Sequence, residues 1–279
     1  MNKNIFLSVF FLMLSLLPVA AQKDIMILHT NDTHSCVMPL GVTLADTALA
    51  DRGGFVRRVA VVDSMRRLYP DMLLFDSGDF SQGSPYYTLF KGDVEVGLMN
   101  IMKYDAATIG NHEFDFGIDN MVRIFRKCKF PIVCSNYDFT GTPLYGLVKP
   151  YIIIKRGGIR FGVFALCPKL DGLVQTKNYG SIKYLDPVAE ANRWAAFLKK
   201  EKKVDCVICI SHLGWDRKGD IAVIKGSRNI DLVLGGHSHT YFKKLKYVTD
   251  LDGRQVPVDQ NGKHGIYIGE LKLHFDKKH

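Results

Sequence analysis

Several strand-length apolar runs in this chain each end in a polar cluster, and this pattern limits the fold more than any other feature. Ile25–Leu28, Met72–Phe75, Ala106–Ile109, Val204–Ile210 and Leu232–Leu234 are almost wholly apolar. Continuous runs, unlike alternating ones, belong to strands covered on both faces. Pro131–Cys134 is a further run of this kind. Between them Phe55–Leu68, Val94–Met102 and Ile118–Cys128 carry helical spacing. Ile152–Ile154 and Phe161–Leu166 flank Gly157-Gly158, a hairpin signal. Asp186 caps a helix with Pro187 in its first turn, and Val188, Ala191, Ala195 and Leu198 form its apolar face. From Tyr247 to Phe275, turn signals at Asp252-Gly253 and Asn261-Gly262 predict antiparallel strands. The alternation predicts one α/β domain with a mixed core of strands and helices outside.

Composition removes several classes. Of the 279 residues, 47% are hydrophobic and 23% charged, which excludes a disordered or fibrous chain. No segment reaches the roughly 18–20 apolar residues that span a bilayer, which excludes a polytopic membrane protein. The apolar run Ile5–Leu17 follows Lys3 and precedes small residues at Val19 and Ala21. It reads as a secretory leader, residues 1–21, cleaved after Ala21, with a domain over 22–279 in an exported compartment. A retained anchor is the alternative; no cysteine follows the run to carry a lipid. The net charge of +9, or +8 without Lys3, favours anionic partners weakly. Lys199–Lys203, with Glu201 inside it, reads as a solvated helix end, and no nucleic-acid module is present. Cys134, Cys167, Cys206 and Cys209 lie in apolar runs, where cysteine acts as a small hydrophobe. Cys206 and Cys209, three apart on a strand, face opposite ways, which argues against a redox or zinc pair. Cys36 and Cys128 have no obvious place.

The chemistry sits where the runs stop, at the carboxyl ends of strands. Asp32 and His34 follow the first run. Asp79 closes Asp76-Ser77-Gly78-Asp79. Asn111, His112, Glu113 and Asp115 lie in Gly110–Asp115. His212 closes a fourth run, and His237 and His239 follow Gly235-Gly236. Histidines, carboxylates and one amide suit a borderline divalent cation such as Zn²⁺, Mn²⁺, Fe²⁺ or Co²⁺. Asp32, His34, Asp79, Asn111, His212, His237 and His239 exceed what one tetrahedral ion takes. Two ions sharing a carboxylate would use them all, and ions about 3.5–4 Å apart are a common device for phosphate-ester hydrolysis. Alone, Asp32-x-His34 or His212 reads as ordinary polar surface, whereas Gly110-Asn111-His112-Glu113 is unusual and Gly236-His237-Ser238-His239 after an apolar run is moderately specific. Five in succession are not coincidence. Of the other histidines, His29 reads as a core or supporting residue, and His264, His274 and His279 as solvent-facing.

The chain resembles the calcineurin-like metallophosphoesterase superfamily and, within it, the catalytic domain of the 5′-nucleotidases. The motifs are Leu28-His29-Thr30-Asn31-Asp32-Thr33-His34, Gly78-Asp79, Gly110-Asn111-His112-Glu113-Phe114-Asp115, Ser211-His212-Leu213-Gly214 and Gly235-Gly236-His237-Ser238-His239-Thr240. The resemblance spans Asp24 to Phe275. Ser35 stands where the family usually has glycine. The resemblance implies two mixed β-sheets packed face to face with flanking helices, a four-layer sandwich. It implies one ion on Asp32, His34, Asp79 and His239, and another on Asp79, Asn111, His212 and His237, with Asp79 bridging. It implies that His112 is not a ligand but pairs with Asp115 as a catalytic dyad; Glu113 and Asp119 are alternatives for the carboxylate. A hydroxide shared by the ions would attack phosphorus in line, with Asn111 and His112 contacting the phosphoryl oxygens and His112 protonating the leaving group.

Full-length 5′-nucleotidases carry a C-terminal domain that stacks the nucleobase and contacts the phosphate. The present chain ends just past the catalytic domain, so that domain is expected to come from a separate chain. The alternative is a stand-alone phosphatase using its own loop Phe80–Phe90, rich in Gly, Ser and Tyr. The expected function is a 5′-nucleotidase-like phosphomonoesterase with a small phosphate ester or nucleotide as substrate. Alternatives are the same chemistry on cyclic nucleotides, nucleotide sugars or thiosulfate esters, or a non-catalytic binding subunit.

Overall fold

The strand runs are apolar on both sides because both sides are covered. A computed structural model describes residues 23–276; the leader reading falls on residues 1–21 and lies outside them. The first part of the chain comprises β1 (Lys23–Thr30), α1 (Phe55–Leu68), β2 (Leu73–Asp76), α2 (Pro85–Phe90), α3 (Asp93–Met102), β3 (Ala106–Ala107) and α4 (Gly117–Phe125). The middle comprises β4 (Tyr137–Asp138), β5 (Tyr151–Arg156), β6 (Ile159–Leu166), α5 (Thr176–Tyr179), β7 (Lys183–Tyr184) and α6 (Pro187–Ala196). The last part comprises β8 (Cys206–Ser211), α7 (Asp220–Lys225), β9 (Leu232–Leu234), β10 (Lys246–Thr249), β11 (Gln255–Asp259) and β12 (Gly269–Phe275).

The strands form a four-stranded sheet, β12-β1-β2-β3, and a six-stranded sheet, β10-β11-β9-β8-β6-β5, with β4 and β7 paired apart. Both large sheets are mixed. Alternate residues of each strand sort into different layers. Ile25, Ile27, Leu73 and Phe75 meet Phe161, Val163, Ile208 and Leu232 in one cluster between the sheets. Met26, Leu28 and Leu74 point outward against Val62, Val96, Met99 and Ile124 of α1, α3 and α4. Phe164, Val207, Cys209 and Val233 point the other way, against Ala191, Ala195, Val223 and Ile224 of α6 and α7. The order of layers is therefore helix, sheet, sheet, helix, as expected. Cys206 belongs to the layer between the sheets and Cys209 to the outer one, so the pair does face opposite ways. All six cysteines are free thiols, including Cys36 and Cys128.

Three readings need correction. The segment Phe80–Phe90 is not wholly loop: Pro85–Phe90 is α2, started by Ser84, whose Oγ accepts from the Tyr87 N–H at 3.3 Å with Pro85 at the first turn. Pro131–Cys134 is no regular strand but joins its neighbours through isolated parallel bridges, Ala107 to Ile132 and Val133 to Lys149. Asn261-Gly262 does not turn one antiparallel strand into the next. β11 lies parallel to β9 in the larger sheet, whereas β12 lies antiparallel to β1 in the smaller one. Asn261 is held instead by the first sheet: its backbone N–H donates to Asn31 Oδ1 at 2.8 Å and its amide to His29 Nδ1 at 2.9 Å. The segment 260–268 thus crosses between sheets.

β1, β2 and β3 run parallel, as do β6, β8, β9 and β11. Within each sheet the carboxyl ends of these strands share one edge, and the polar clusters follow them.

Candidate metal centre

The strand ends bring six of the seven candidate ligands into mutual reach of a cation. Asp32, His34 and His239 form one group with ligand atoms within 4.8 Å of one another; Asp79, His212 and His237 form a second; His34, Asp79 and His112 form a third. Asp79 is common to the last two, and His34 joins the first to the third. His34 Nε2 lies 3.8 Å from Asp32 Oδ1 and 3.5 Å from Asp79 Oδ2. His212 Nε2 lies 3.1 Å from Asp79 Oδ2 and 3.9 Å from Asp32 Oδ1, and His239 Nε2 lies 3.4 Å from Asp32 Oδ1. Asn111, the seventh, is buried on the β3 side, beyond Gly110.

Several of these atoms are buried without a hydrogen-bond partner: His34 Nε2, His212 Nε2 and Asn111 Oδ1. Buried polar atoms are normally satisfied, and the orphaned His34 and His212 nitrogens both lie beside Asp79, as ligands of a cation would. Tautomer agrees with this. His212 Nδ1 is 2.6 Å from the Ser77 carbonyl, which can only accept, so Nδ1 carries the hydrogen. In the neutral ring the lone pair then sits on Nε2, facing Asp79. Burial alone would lower the His212 pKa, but Asp79 and Asp32 outweigh it and raise it well above the usual range. Burial likewise opposes charge on Asp79, and His212 and His34 overcome it, holding the carboxyl well below its ordinary value. The pocket is therefore built to hold positive charge.

The backbone is shaped for the same purpose. Asp32, His34, Asp79, His237 and His239 all have positive φ, as do Ser35 and His264. Each left-handed non-glycine residue costs about 1–2 kcal/mol, and such strain collects at functional sites. Two glycines allow the loops to close. A Cβ at Gly110 would overlap the Asp79 carboxylate, and one at Gly236 would sit 2.9 Å from the Ser77 carbonyl and 3.0 Å from His212 Nδ1. Here Gly-Asn-His and Gly-Gly-His need glycine for close approach.

His112 stands at the rim. Its Nδ1 lies 3.1 Å from Asp115 Oδ2, its backbone N–H donates to Asp79 Oδ1 at 2.9 Å, and its ring meets that of His34 edge-on at 5.6 Å. Burial lowers its pKa, but the Asp115 bond and the Asp79 charge raise it above the ordinary imidazole value. Asp119 is exposed on α4. Glu113 is fully buried and turned away from solvent: it accepts from the backbone N–H of Asp79 at 3.0 Å, of Gly110 at 2.6 Å and of Ser81 at 3.2 Å. Burial and the nearby Asp79 push it up to about 8. Glu113 is thus a clamp between two ligand loops.

Other supporting residues escaped the sequence reading. Gln260 is fully buried; its amide donates to the Gly236 carbonyl at 2.9 Å and its oxygen accepts from Thr240 N–H at 2.6 Å, which fixes the His237–His239 turn. The signal was present, since Asp259-Gln260-Asn261 is a polar cluster closing the run around Val256 and Val258. His264 was expected near solvent. It packs edge-on to His34 at 5.7 Å, and its backbone N–H donates to the Asp32 carbonyl at 2.7 Å. Half-burial beside His34 pushes its pKa down to about 4. His29 is a supporting residue as expected, bonded to Ser77 Oγ at 2.9 Å and Asn261.

The carboxylates and imidazoles gathered at the strand ends of this fold form groups able to hold a divalent cation. The family model for calcineurin-like phosphoesterases matches residues 25–241, and the chain belongs to that family. It is 32% identical over 280 aligned residues to human 5′-nucleotidase, covering 94% of this chain and 48% of that protein. A Thermus thermophilus 5′-nucleotidase precursor superposes with a TM-score of 0.83 at 29% identity, over 91% of this chain and 52% of that one. The Haemophilus influenzae NAD nucleotidase superposes with a TM-score of 0.80 at 25% identity, over 91% and 48%. The chain spans about half the length of these relatives.

Proposed function

We propose that the chain hydrolyses phosphate monoesters of the nucleoside 5′-phosphate class at a centre of two divalent cations, in an exported compartment. The observation that carries this reading is the set of orphaned ligand atoms facing Asp79 and Asp32. Asp32, His34, Asp79 and His239 would hold one cation, and Asp79, Asn111, His212 and His237 the other, of the Zn, Mn, Fe or Co type. When bound, such a pair supplies a water ionised near neutral pH and Lewis-acid stabilisation of the phosphoryl oxygens. The chain's own residues do the rest. Ser77 and Glu113 orient His212 and the Asp79 loop. His112 holds a proton that its Asp115 contact keeps on the ring, and gives it to the leaving oxygen. The Asn111 amide would contact the phosphoryl oxygens. His112 also lies within ligand reach of Asp79 and His34; its bond to Asp115 favours the acid role over ligation.

Elemental analysis with a panel of phosphate esters tests the reading. Two ions per chain and phosphate release are expected. One ion overturns the dinuclear centre, and two ions without turnover of any ester overturn catalysis in favour of a binding subunit. Nucleotide selectivity is proposed to come from a domain resembling the other half of the 5′-nucleotidase relatives. The chain alone should then prefer AMP over an aryl phosphate by less than about 10²-fold in kcat/KM, roughly 2.7 kcal/mol. A larger preference assigns selectivity to the chain itself.

A further inference from the structure

We propose that the cavity at the start of α1 is a second anion site, separate from the metal centre, that takes a free phosphate dianion. The cavity holds about 250 Å³ and is lined by Arg52, Arg57, Arg58, Asp51, Gly53 and Gly265, among others. Arg58 is 3% exposed. One of its nitrogens, Nη2, donates to the Cys36 carbonyl at 2.9 Å. Nε and Nη1 are buried and have no partner. A guanidinium offers five donors, and a buried one left unsatisfied is costly. Among the described residues, none supplies the missing acceptor. Asp76 is the carboxylate whose charge Arg58 feels, but it is bonded to Thr30 Oγ1 at 2.6 Å and to the Gly78 N–H at 2.9 Å. The Phe55 ring lies 3.9 Å from Arg58 Cζ. Gly265 packs so closely that a Cβ there would lie 2.7 Å from Cζ.

The helix start adds a second argument. α1 has 14 residues, its N-cap is Gly54 with no side chain to offer, and its first turn has no acidic residue. Its first N–H, of Phe55, already donates to the Val37 carbonyl at 2.9 Å, so the helix adds the positive end of its dipole rather than free donors. The chain places Arg57 and Arg58 there as well, the wrong sign for stability unless an anion joins them. Asp51 is the one carboxylate in the lining, and Arg57 already engages it at 3.1 and 3.2 Å. Three guanidinium groups therefore face one carboxylate. Guanidinium edges match the oxygens of phosphate. The volume falls below the roughly 300–1,000 Å³ of sites for larger ligands, so the phosphate group fits without a nucleoside. The site also touches the metal loops. The Cys36 carbonyl held by Arg58 is two residues past His34, and Gly265 follows His264, whose N–H holds Asp32.

Calorimetric titration of the metal-loaded protein with inorganic phosphate tests the assignment. Wild type should bind one more phosphate per chain than Arg58→Leu, whatever the metal centre itself takes up. Arg52→Ala, on the exposed rim, should keep that stoichiometry with about 10-fold weaker binding, the loss of one charge-assisted contact. A folded Arg58→Leu that binds as many phosphates as wild type overturns the site. So does an Arg52→Ala titration indistinguishable from wild type. If Arg58→Leu does not fold, crystals of wild type soaked in tungstate decide: density beside Arg58 is expected, and none at saturation overturns the site. A nucleoside phosphonate should give no difference between wild type and Arg52→Ala; a difference overturns the assignment to free phosphate.

Discussion

His212 and His112 each set an imidazole beside an aspartate, yet their surroundings differ. His212 is fully buried, its Nδ1 fixed on a backbone carbonyl and its Nε2 left bare toward Asp79. The His112 side chain is 28% exposed, and its Nδ1 turns to a carboxylate that is itself 39% exposed. The first environment prepares a lone pair for a cation. Under the proposed function, the second would hold a proton for a substrate that must come and go. Residue type is shared; what Nδ1 faces, and how much water reaches the ring, separates the roles.

The strongest challenge to that contrast is Asp79→Ala, since Asp79 contacts both sides. Both ions should be lost, and turnover should fall at or beyond the top of the about 10²–10⁴-fold range for one catalytic group. Elemental analysis showing either ion retained would break the bridging role. Gly110→Ala tests the scaffold without touching a ligand. Its Cβ would overlap Asp79, so metal content should drop nearly as far while circular dichroism stays native; full metal content would show the loop has room to shift. On the rim, His112→Ala should keep both ions and lose about 10²–10⁴-fold in kcat. If metal is lost instead, the two histidines share a role and the comparison collapses.

Asp115→Asn should cost less, about 10–100-fold, as for groups that orient another. It also carries a sign. Asp115 raises the His112 pKa against the effect of burial. Without it the ring deprotonates at lower pH, so the basic limb of the kcat profile should move to lower pH. An unmoved limb would mean that His112 is not the titrating acid. The smallest effect lies far from the centre. Asp93 bonds Arg123 at 2.7 Å and Lys127 at 2.7 Å, tying α3 to α4. Burial, the largest single influence, raises its pKa, and the Lys127 and Arg123 contacts together overcome it and lower it. Its stabilisation is present above the unfolded carboxyl pKa near about 3.9 and fades as pH falls through the lower folded value. At pH 7 Asp93→Asn should cost less than about 1 kcal/mol, since the pair is partly exposed. Thermal melts at neutral and acid pH measure it; a difference that grows in acid would reverse the sign.

Much of this was legible because period and chemistry coincide. Double-sided burial writes itself as runs such as Ile25–Leu28, and a ligand at a strand end stands out against such a run. Positions set by tertiary contact were harder to read. Nothing local in Glu113 distinguishes a clamp on three backbone N–H groups from a catalytic acid. His264 reads as solvent-facing because its neighbours Gly262, Lys263 and Gly265 look like a surface turn. Its place beside His34 depends on β12 joining the opposite sheet, a long-range pairing that turn chemistry does not specify. The helix α2 was hidden by tyrosines and glycine nearby, although Ser84-Pro85 announced it.

The pairing of β1 with β12 has one more consequence. Lys23 stands opposite Phe275, so the first and last strands of the described fold finish side by side. This meeting point lies at the end of β1 away from Asp32. A short linker joining those ends, with new termini opened in an exposed turn such as Asp252-Gly253, would leave each strand in its sheet and each ligand at its strand end. Chain order could then be permuted while the metal centre was retained, because the centre depends on which strand ends are neighbours and not on where the polypeptide begins.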